Sequence, residues 1–256
     1  MAVGSVLKAK NISPLKRFIV GLLGTSDIHS HFRLKPLLDH LRSLDRSPRD
    51  VLELGCGDGV VLMEALDCVE IRTALGIDLD HSSIARANEL LRATGSTTSV
   101  KFQVKNISDF NSENKYDVIL LIDVMEHLIN TEILMSYIRN HLRSDGILIV
   151  SVPTPLYPRV FGKAFHQDVG HVRDGYNLEQ LTSACADFEV VKYSYNTGPA
   201  GIILCYLYYR LAVRLPRQLR AAIGFAMVPL TVFDFWHPHW GSCSLFAVFS
   251  HKSPQP

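Results

Sequence analysis

Between Glu53 and Gly59 the chain reads Glu-Leu-Gly-Cys-Gly-Asp-Gly, with an apolar run, Val51-Leu52-Glu53-Leu54, before it and a helix-like stretch over 60–66 after it. Glycines at a strand-to-helix turn let the backbone approach a ligand closely, and the N-terminus of the helix favours polar or anionic groups. Asp78 closes the next apolar run, 72–78, about twenty residues further on, where an acid can accept hydrogen bonds from both hydroxyls of a ribose. The dinucleotide pattern G-x-G-x-x-G would need glycine at 60, where Val60 stands. That substitution argues against a nicotinamide-dependent oxidoreductase.

Two further clusters carry titratable side chains. Asp123-Val124-Met125-Glu126-His127 sets two carboxylates and an imidazole within five residues. Such a set can ligate a cation, which would lower the pKa of a hydroxyl. The alternative, which we adopt, is no metal, with His127 packing or hydrogen bonding beside a bound ligand. His166-Gln167-Asp168-Val169-Gly170-His171-Val172-Arg173 follows the fifth expected strand. In an open α/β sheet ligands bind beyond the carboxyl ends of the strands. A histidine there can take a proton from a hydroxyl near neutral pH, which makes His171 and His127 the candidate catalytic residues. The competing reading has His171 and Arg173 only anchoring their loop. His29, His31 and Arg33 have metal-like spacing, but residues two apart on a helix do not face the same way. A basic lid or a solvated surface fits them better.

These residues need a scaffold, and the chain supplies alternating elements. Strands are expected over 51–54, 72–78, 100–104, 116–122, 146–152, 188–195 and 244–250, and helices over 15–23, 32–44, 60–66, 82–93, 126–142 and 177–186. Ser144-Asp145-Gly146 reads as the stop of the helix over 126–142. The run 116–122 is the kind of strand buried on both faces. Strands alternating with helices predict a parallel sheet covered on both sides.

Composition narrows the class. The chain has 256 residues, 47% hydrophobic, which permits a sizeable core and excludes a disordered chain. Lys+Arg 26 against Asp+Glu 25 gives +1, so a strongly basic nucleic-acid binder is excluded and no nucleic-acid partner is expected. The strong charge bias lies in the first 49 residues, which hold nine Lys/Arg and three Asp/Glu. The five cysteines are odd in number, widely spaced and without C-x-x-C, so a disulfide framework is not expected and a reducing, cytoplasmic setting fits. The apolar run 18–24 after Lys16-Arg17 has seven residues and lacks an A-x-A site, so we read it as part of a helix, not a secretory signal. Mean hydropathy is +0.13, and its source is the stretch 197–241. Its two apolar runs, 199–213 and 221–233, are broken by Arg210 and Pro229 and fall short of a spanning helix. Apolar surface, the aromatics Tyr206, Tyr208, Tyr209, Phe233, Phe235, Trp236 and Trp240, and Arg210, Arg214, Arg217 and Arg220 suit a membrane interface. A helical cap or a homodimer interface is the alternative.

The ordered set Val51 to Gly59, Gly76-Ile77-Asp78, Tyr116 to Leu120, Met125-Glu126-His127-Leu128 and Leu142 to Gly146 resembles the class I S-adenosylmethionine-dependent methyltransferases. Within them, Asp123 to His127 is similar to the acid-x-x-Glu-His segment of the ubiquinone-biosynthesis O-methyltransferases, with Asp for the first Glu; in that group these side chains are linked to a divalent metal. The resemblance spans roughly 50–195 and the final strand. It implies a Rossmann-like α/β fold, a seven-stranded sheet whose last strand is antiparallel. It also implies roles by position: Glu53, Gly55, Cys56 and Gly57 around the methionine part of S-adenosyl-L-methionine, Asp78 on the ribose, and Leu79, Asn106 and Ile107 at the adenine. The stretch from Ile122 through Asp123 to Val124 would line the underside. Asn106 stands where many members carry Asp. The expected organisation is an N-terminal helical lid (1–49), a methyltransferase core (50–196), an apolar insertion (197–241), and a last strand and tail (242–256). The expected activity is methyl transfer, to oxygen, on a small or lipid-linked acceptor, with a peripheral position at the inner face of the membrane. A non-catalytic cofactor-binding or scaffold protein of the same fold is the alternative.

Overall fold

The apolar runs 51–54, 118–122 and 148–152 become strands whose residues are buried on both faces. The computed structural model describes residues 28–94, 98–107, 113–163, 168, 170–212 and 215–252. The expected helix over 15–23, the greater part of the lid, and His166, Gln167, Val169 and Arg214 lie outside the described residues. In chain order the elements are α1 (Ile28–Arg42), β1 (Asp50–Leu54), α2 (Val60–Cys68), β2 (Thr73–Asp78), α3 (His81–Thr94), β3 (Ser99–Val104), β4 (Tyr116–Ile122), α4 (Glu132–His141), β5 (Leu142–Pro153), α5 (Tyr157–Phe161), α6 (Leu178–Ala184), β6 (Phe188–Asn196), α7 (Pro199–Ala212), α8 (Arg217–Met227) and β7 (Ser244–His251).

Among the described residues seven strands form one mixed sheet in the order β3-β2-β1-β4-β5-β7-β6. β7 runs antiparallel to both neighbours, β5 and β6, while the pairs from β3 to β5 are parallel. Strand order reverses between β1 and β4, and the crevice beyond their carboxyl ends is where such a sheet takes a ligand. Strand periodicity sorts the core into two layers. Ile119 and Leu121 face one side with Leu148, Val150 and Phe188, whereas Val118, Leu120 and Ile122 face the other with Ile149, Phe246 and Val248. α1 covers the second face with Leu34, Leu37, Leu38 and Leu41, a helical i, i+3, i+4, i+7 stripe. The apolar helix α7 stands before the last strand.

Two local expectations differ from the structure. The helix expected over 126–142 is a short 3₁₀ turn, Met125–His127, followed by extended Leu128 and then α4. The Leu128 and Ile129 carbonyls accept hydrogen bonds from the Arg173 guanidinium at 2.9 and 2.8 Å, and the Asn130 side chain caps the restart by accepting from Glu132 N at 2.8 Å. The stop expected at Ser144-Asp145-Gly146 lies inside β5, which starts at Leu142 and pairs with Tyr116 before a register shift.

The early start of β5 delivers Arg143 to the amino ends of the strands. Its guanidinium meets Asp50 and Asp117, each at 2.7 Å. Asp50 also accepts from Arg72 at 2.7 Å and from the Thr73 hydroxyl at 2.6 Å, while Asp117 accepts from the backbone of Arg49 and Asp50. Desolvation pushes the Asp50 carboxyl up, but the bonds from Arg72, Thr73 and Arg143 together outweigh it and hold the group at about 2. A carboxyl held below its ordinary 3.8 contributes stability in full above about pH 4 and loses it as the pH falls towards 2. Asp50→Asn is expected to lower stability at pH 7 by about 1–3 kcal/mol. Urea melts of both proteins should show that difference closing between about pH 4 and 2. A gap that stays constant over that range would remove Asp50 from the network's role.

Candidate active site

The glycine-rich β1–α2 turn is held by the end of β2. Gly55 N and Cys56 N both donate to Ile77 O, at 2.8 and 3.0 Å, and Gly57 N donates to the Asp78 carboxylate at 2.8 Å. Gly57 has φ 51°, in the left-handed region, and an added Cβ would meet nothing within 4 Å, so its α-carbon faces open space. Gly59, also left-handed at φ 75°, is held by close packing instead: a Cβ there would lie 2.7 Å from the Phe102 ring. Of these two glycines, Gly57 clears room and Gly59 lets the helix sit close to the sheet.

A cavity of about 570 Å³ opens at this turn. Its walls include Glu53, Gly55, Cys56, Gly57, Asp78, Leu79, Ile107 and Asp123, eight of the nine positions expected around the cofactor. Asn106 is exposed and not among the lining residues. Leu79 is 63% exposed, so it lies open on the rim. Ile122 and Val124 line the cavity beside Asp123. Sequence reasoning missed Leu34, brought from α1 across the cavity; the apolar stripe of that helix was its only trace.

The chemistry of the lining is uneven. Cys56 is buried, and desolvation followed by the charges of Glu53 and Asp78 pushes its thiol far above the ordinary value, so it stays a neutral wall. Asp78 accepts from Gly57 N on one oxygen and from Asp80 N on the other. A carboxylate offers about four lone-pair positions, so two remain for a ligand's hydroxyls. Asp123 has φ 54°, rare for a residue with a side chain, and its N–H donates to Ser151 O at 2.8 Å. Backbone held in that region costs on the order of 1–3 kcal/mol and collects at functional sites.

The two expected catalytic histidines meet at one end of the cavity. His127 lines it, and its Nδ1 lies 3.0 Å from Gly170 O. A carbonyl only accepts, so Nδ1 carries the hydrogen and Nε2 is left as the acceptor in the neutral ring. The His171 ring stands edge-on to His127 at 4.8 Å and lies 5.8 Å from the Tyr157 ring, a neighbour the sequence did not single out. His171 is not itself among the lining residues. Its Nε2 lies 3.8 Å from an oxygen of Glu126, which is fully buried. The loop is tied to the 3₁₀ turn by Val172 N to Glu126 O, Tyr176 OH to Met125 O and the Arg173 bonds, so Arg173 is an anchor.

Glu126, His127 and His171 have ligand atoms within 4.8 Å of one another, and Asp123 is not part of that group. Ligand atoms bound to one ion at 2.0–2.2 Å stand about 3–3.5 Å apart, so this group would have to contract to hold a cation. Beyond His171 an aromatic wall continues from Tyr157 to Phe161 at 4.8 Å and on to Tyr209 of α7 at 5.7 Å.

Residues 29–193 match the model of a methyltransferase domain. A polyamine aminopropyltransferase of Oceanobacillus iheyensis is 30% identical over 158 residues, 57% of this chain and 31% of that protein. A ubiquinone biosynthesis O-methyltransferase of Bradyrhizobium diazoefficiens is 27% identical over 101 residues, 40% of this chain and 38% of that one. The chain thus spans about half the length or less of the curated relatives it matches. Among solved structures, the [4+2]-cyclase SpnF superposes with a TM-score of 0.64 at 17% identity, over 88% of this chain and 83% of that one. The N-methyltransferase NodS of Bradyrhizobium japonicum, in complex with S-adenosyl-l-homocysteine, does so with 0.55 at 14%, over 94% and 100%. At those identities the likeness is one of fold. Fold and family point to S-adenosylmethionine as the cofactor, and the open Gly57 cradle with the two remaining lone pairs of Asp78 fits it. Over the greater part of its length the chain belongs to the methyltransferase domain family, with the class I S-adenosylmethionine-dependent fold.

Proposed function

We propose that this protein transfers a methyl group from S-adenosylmethionine to an oxygen of a small or lipid-linked acceptor. The observation that carries the reading is the Gly57–Asp78 hydrogen bond at 2.8 Å, set in a cavity whose wall also holds His127. The cofactor, when bound, supplies an electrophilic sulfonium methyl. Gly55, Cys56, Gly57 and Glu53 shape the methionine end of its pocket, Asp78 accepts from the ribose, and Leu79 and Ile107 border the adenine end. Asn106 would reach the adenine only by turning inward from its exposed position. Alignment of acceptor and cofactor within these walls would offset on the order of 7–11 kcal/mol of the barrier.

His127 and His171 form the proton-handling pair. One takes the acceptor's hydroxyl proton, and the Glu126 carboxyl lies 3.8 Å from His171 Nε2. A metal is not needed for that step. The aromatic wall of Tyr157, Phe161 and Tyr209 supports an acceptor with an apolar body beside its reacting hydroxyl. If the acceptor is lipid-borne, the place of work is the inner face of a membrane on the cytoplasmic side. Nucleic acid is not a partner in this reading, and a homodimer through 197–241 is the rival arrangement.

Asp78→Ala should keep the fold and weaken S-adenosylmethionine binding by about 100-fold or more, since each charge-assisted bond lost is about 1.5–3 kcal/mol. Calorimetry with unchanged affinity would sink the assignment. A screen of lipid extracts and soluble metabolites with labelled methyl donor would supply the acceptor. On that acceptor, His171→Ala should lower kcat by about 10²- to 10⁴-fold with cofactor affinity intact. Normal turnover in that variant would leave His127 as the base. A chelator should leave the rate unchanged; inhibition reversed by Mg²⁺ would instead make Glu126, His127 and His171 a metal site.

A further inference from the structure

The segment joining β6 to β7 presents its largest side chains to solvent. After α8 the chain makes a 3₁₀ turn, Val228–Phe233, and reaches a second one at His239–Gly241. Along these turns and the link between them Val232 is 70% exposed, Phe235 83% and Trp240 64%, with Leu230, Phe233 and Trp236 also open. Trp236 and Trp240 stand edge to face at 5.5 Å. Among the described residues no helix is long and apolar enough to cross a membrane.

This ledge is fastened from beneath by Asp234, which points the opposite way from its aromatic neighbours. Its carboxylate is buried and accepts from Gly198 N at 3.0 Å, just before α7, and from Gly201 N at 2.9 Å in its first turn. Free N–H groups at a helix start favour an anion, so an acid 33 residues beyond Gly201 caps the helix. His237 adds a contact to the same carboxylate at 3.2 Å. A Cβ at Gly198 would lie 2.1 Å from Trp236 O, so the ledge backbone is pressed against the start of α7. The aromatics are therefore displayed on a braced support. The Thr231 hydroxyl meets His31 Nε2 of α1 at 3.1 Å, and Leu34 of the same helix lines the cofactor cavity. Ledge and cavity share one end of the sheet.

We infer that the ledge 230–240 inserts into the interfacial region of a bilayer that contains anionic lipid. Aromatic side chains with apolar neighbours suit the boundary of headgroup and acyl chain. Charge selects lipid over a second copy of the chain. Residues 197–241 hold Arg210, Arg214, Arg217 and Arg220 and one acid, Asp234, which the cap buries. An isologous dimer through this segment would set like charges against each other, whereas anionic headgroups neutralise them. Arg210 is exposed and lies over the Tyr206 ring at 6.0 Å. The surface extends the proposed methyl transfer to a membrane-borne acceptor without depending on it.

The chain has two tryptophans, and both lie on the ledge, so its tryptophan emission reports on this surface alone. The full chain is mixed with vesicles of phosphatidylcholine and phosphatidylglycerol at 70:30, and with phosphatidylcholine alone. On the mixed vesicles it should float, its emission should move to shorter wavelength, and lipids brominated on the acyl chain should quench it. Phe235→Ser with Trp240→Ser should lower binding at least tenfold, with Trp236 left as reporter. Arg210→Glu, Arg214→Glu, Arg217→Glu and Arg220→Glu together should lower it on mixed vesicles. Calorimetry with S-adenosylmethionine on the same samples shows whether each variant has kept its fold, and it tests the cofactor reading separately from the lipid one. Wild-type protein that stays at the bottom of the gradient with unshifted emission overturns the inference. So does equal binding to phosphatidylcholine alone, or a concentration-dependent shift without vesicles accompanied by a dimer mass in sedimentation.

Discussion

The hydrogen bond from Gly57 N to the Asp78 carboxylate is the constraint on which the rest of the site depends. A turn of glycines has large conformational entropy to lose on taking one shape. Here the end of β2 supplies the shape: Ile77 O takes two N–H groups of the turn and Asp78 takes the third. That arrangement needs β1 and β2 paired in the register Leu54 to Ile77, which the buried layers on both faces of the sheet enforce. Packing far from the cavity therefore sets the distance between the carboxylate and the backbone that frames a ligand.

The two ends of the sheet handle charge in opposite ways. At the amino ends Asp50 and Asp117 are bound by Arg72, Thr73 and Arg143, so side chains tie the four strands β1, β2, β4 and β5 together. At the carboxyl ends Asp78, Asp123 and His127 face a cavity. Stability is concentrated at one end, and the strained Asp123 backbone and open polar groups are tolerated at the other.

The scaffold was legible in the sequence because its period is local. The continuous apolar run along 116–122, the glycines at 55, 57 and 59 and the acid at 78 each declare their role within a few residues. What failed to show depends on partners distant in sequence. The helix read over 126–142 has the right apolar spacing, but Arg173 takes its Leu128 and Ile129 carbonyls from 45 and 44 residues away. His171 was legible as a titratable residue in the right loop, yet its place beside His127 and Glu126 follows from the backbone bonds of 170–176. Leu34 reaches the cavity only because α1 docks on the sheet. Asn106 was placed by likeness to a pattern, and the exposure of its side chain is a property of the loop that follows β3.

The apolar stretch before β7 shows how one acid can change the meaning of a composition. Read as a list, 197–241 is a hydrophobic segment with an aspartate in it. In the fold that aspartate is spent on the first turn of α7, where the N–H groups would otherwise need water. Two consequences follow together. The carboxylate is withdrawn from the surface, which leaves arginine as the segment's remaining formal charge. The chain on either side of it must turn outward, because a residue whose neighbours Phe233 and Phe235 alternate with it cannot bury all three against the same helix start. The outward display of the aromatics is thus tied to a single cap, and the closeness of the ledge to the cavity follows from the helix α1 that both touch.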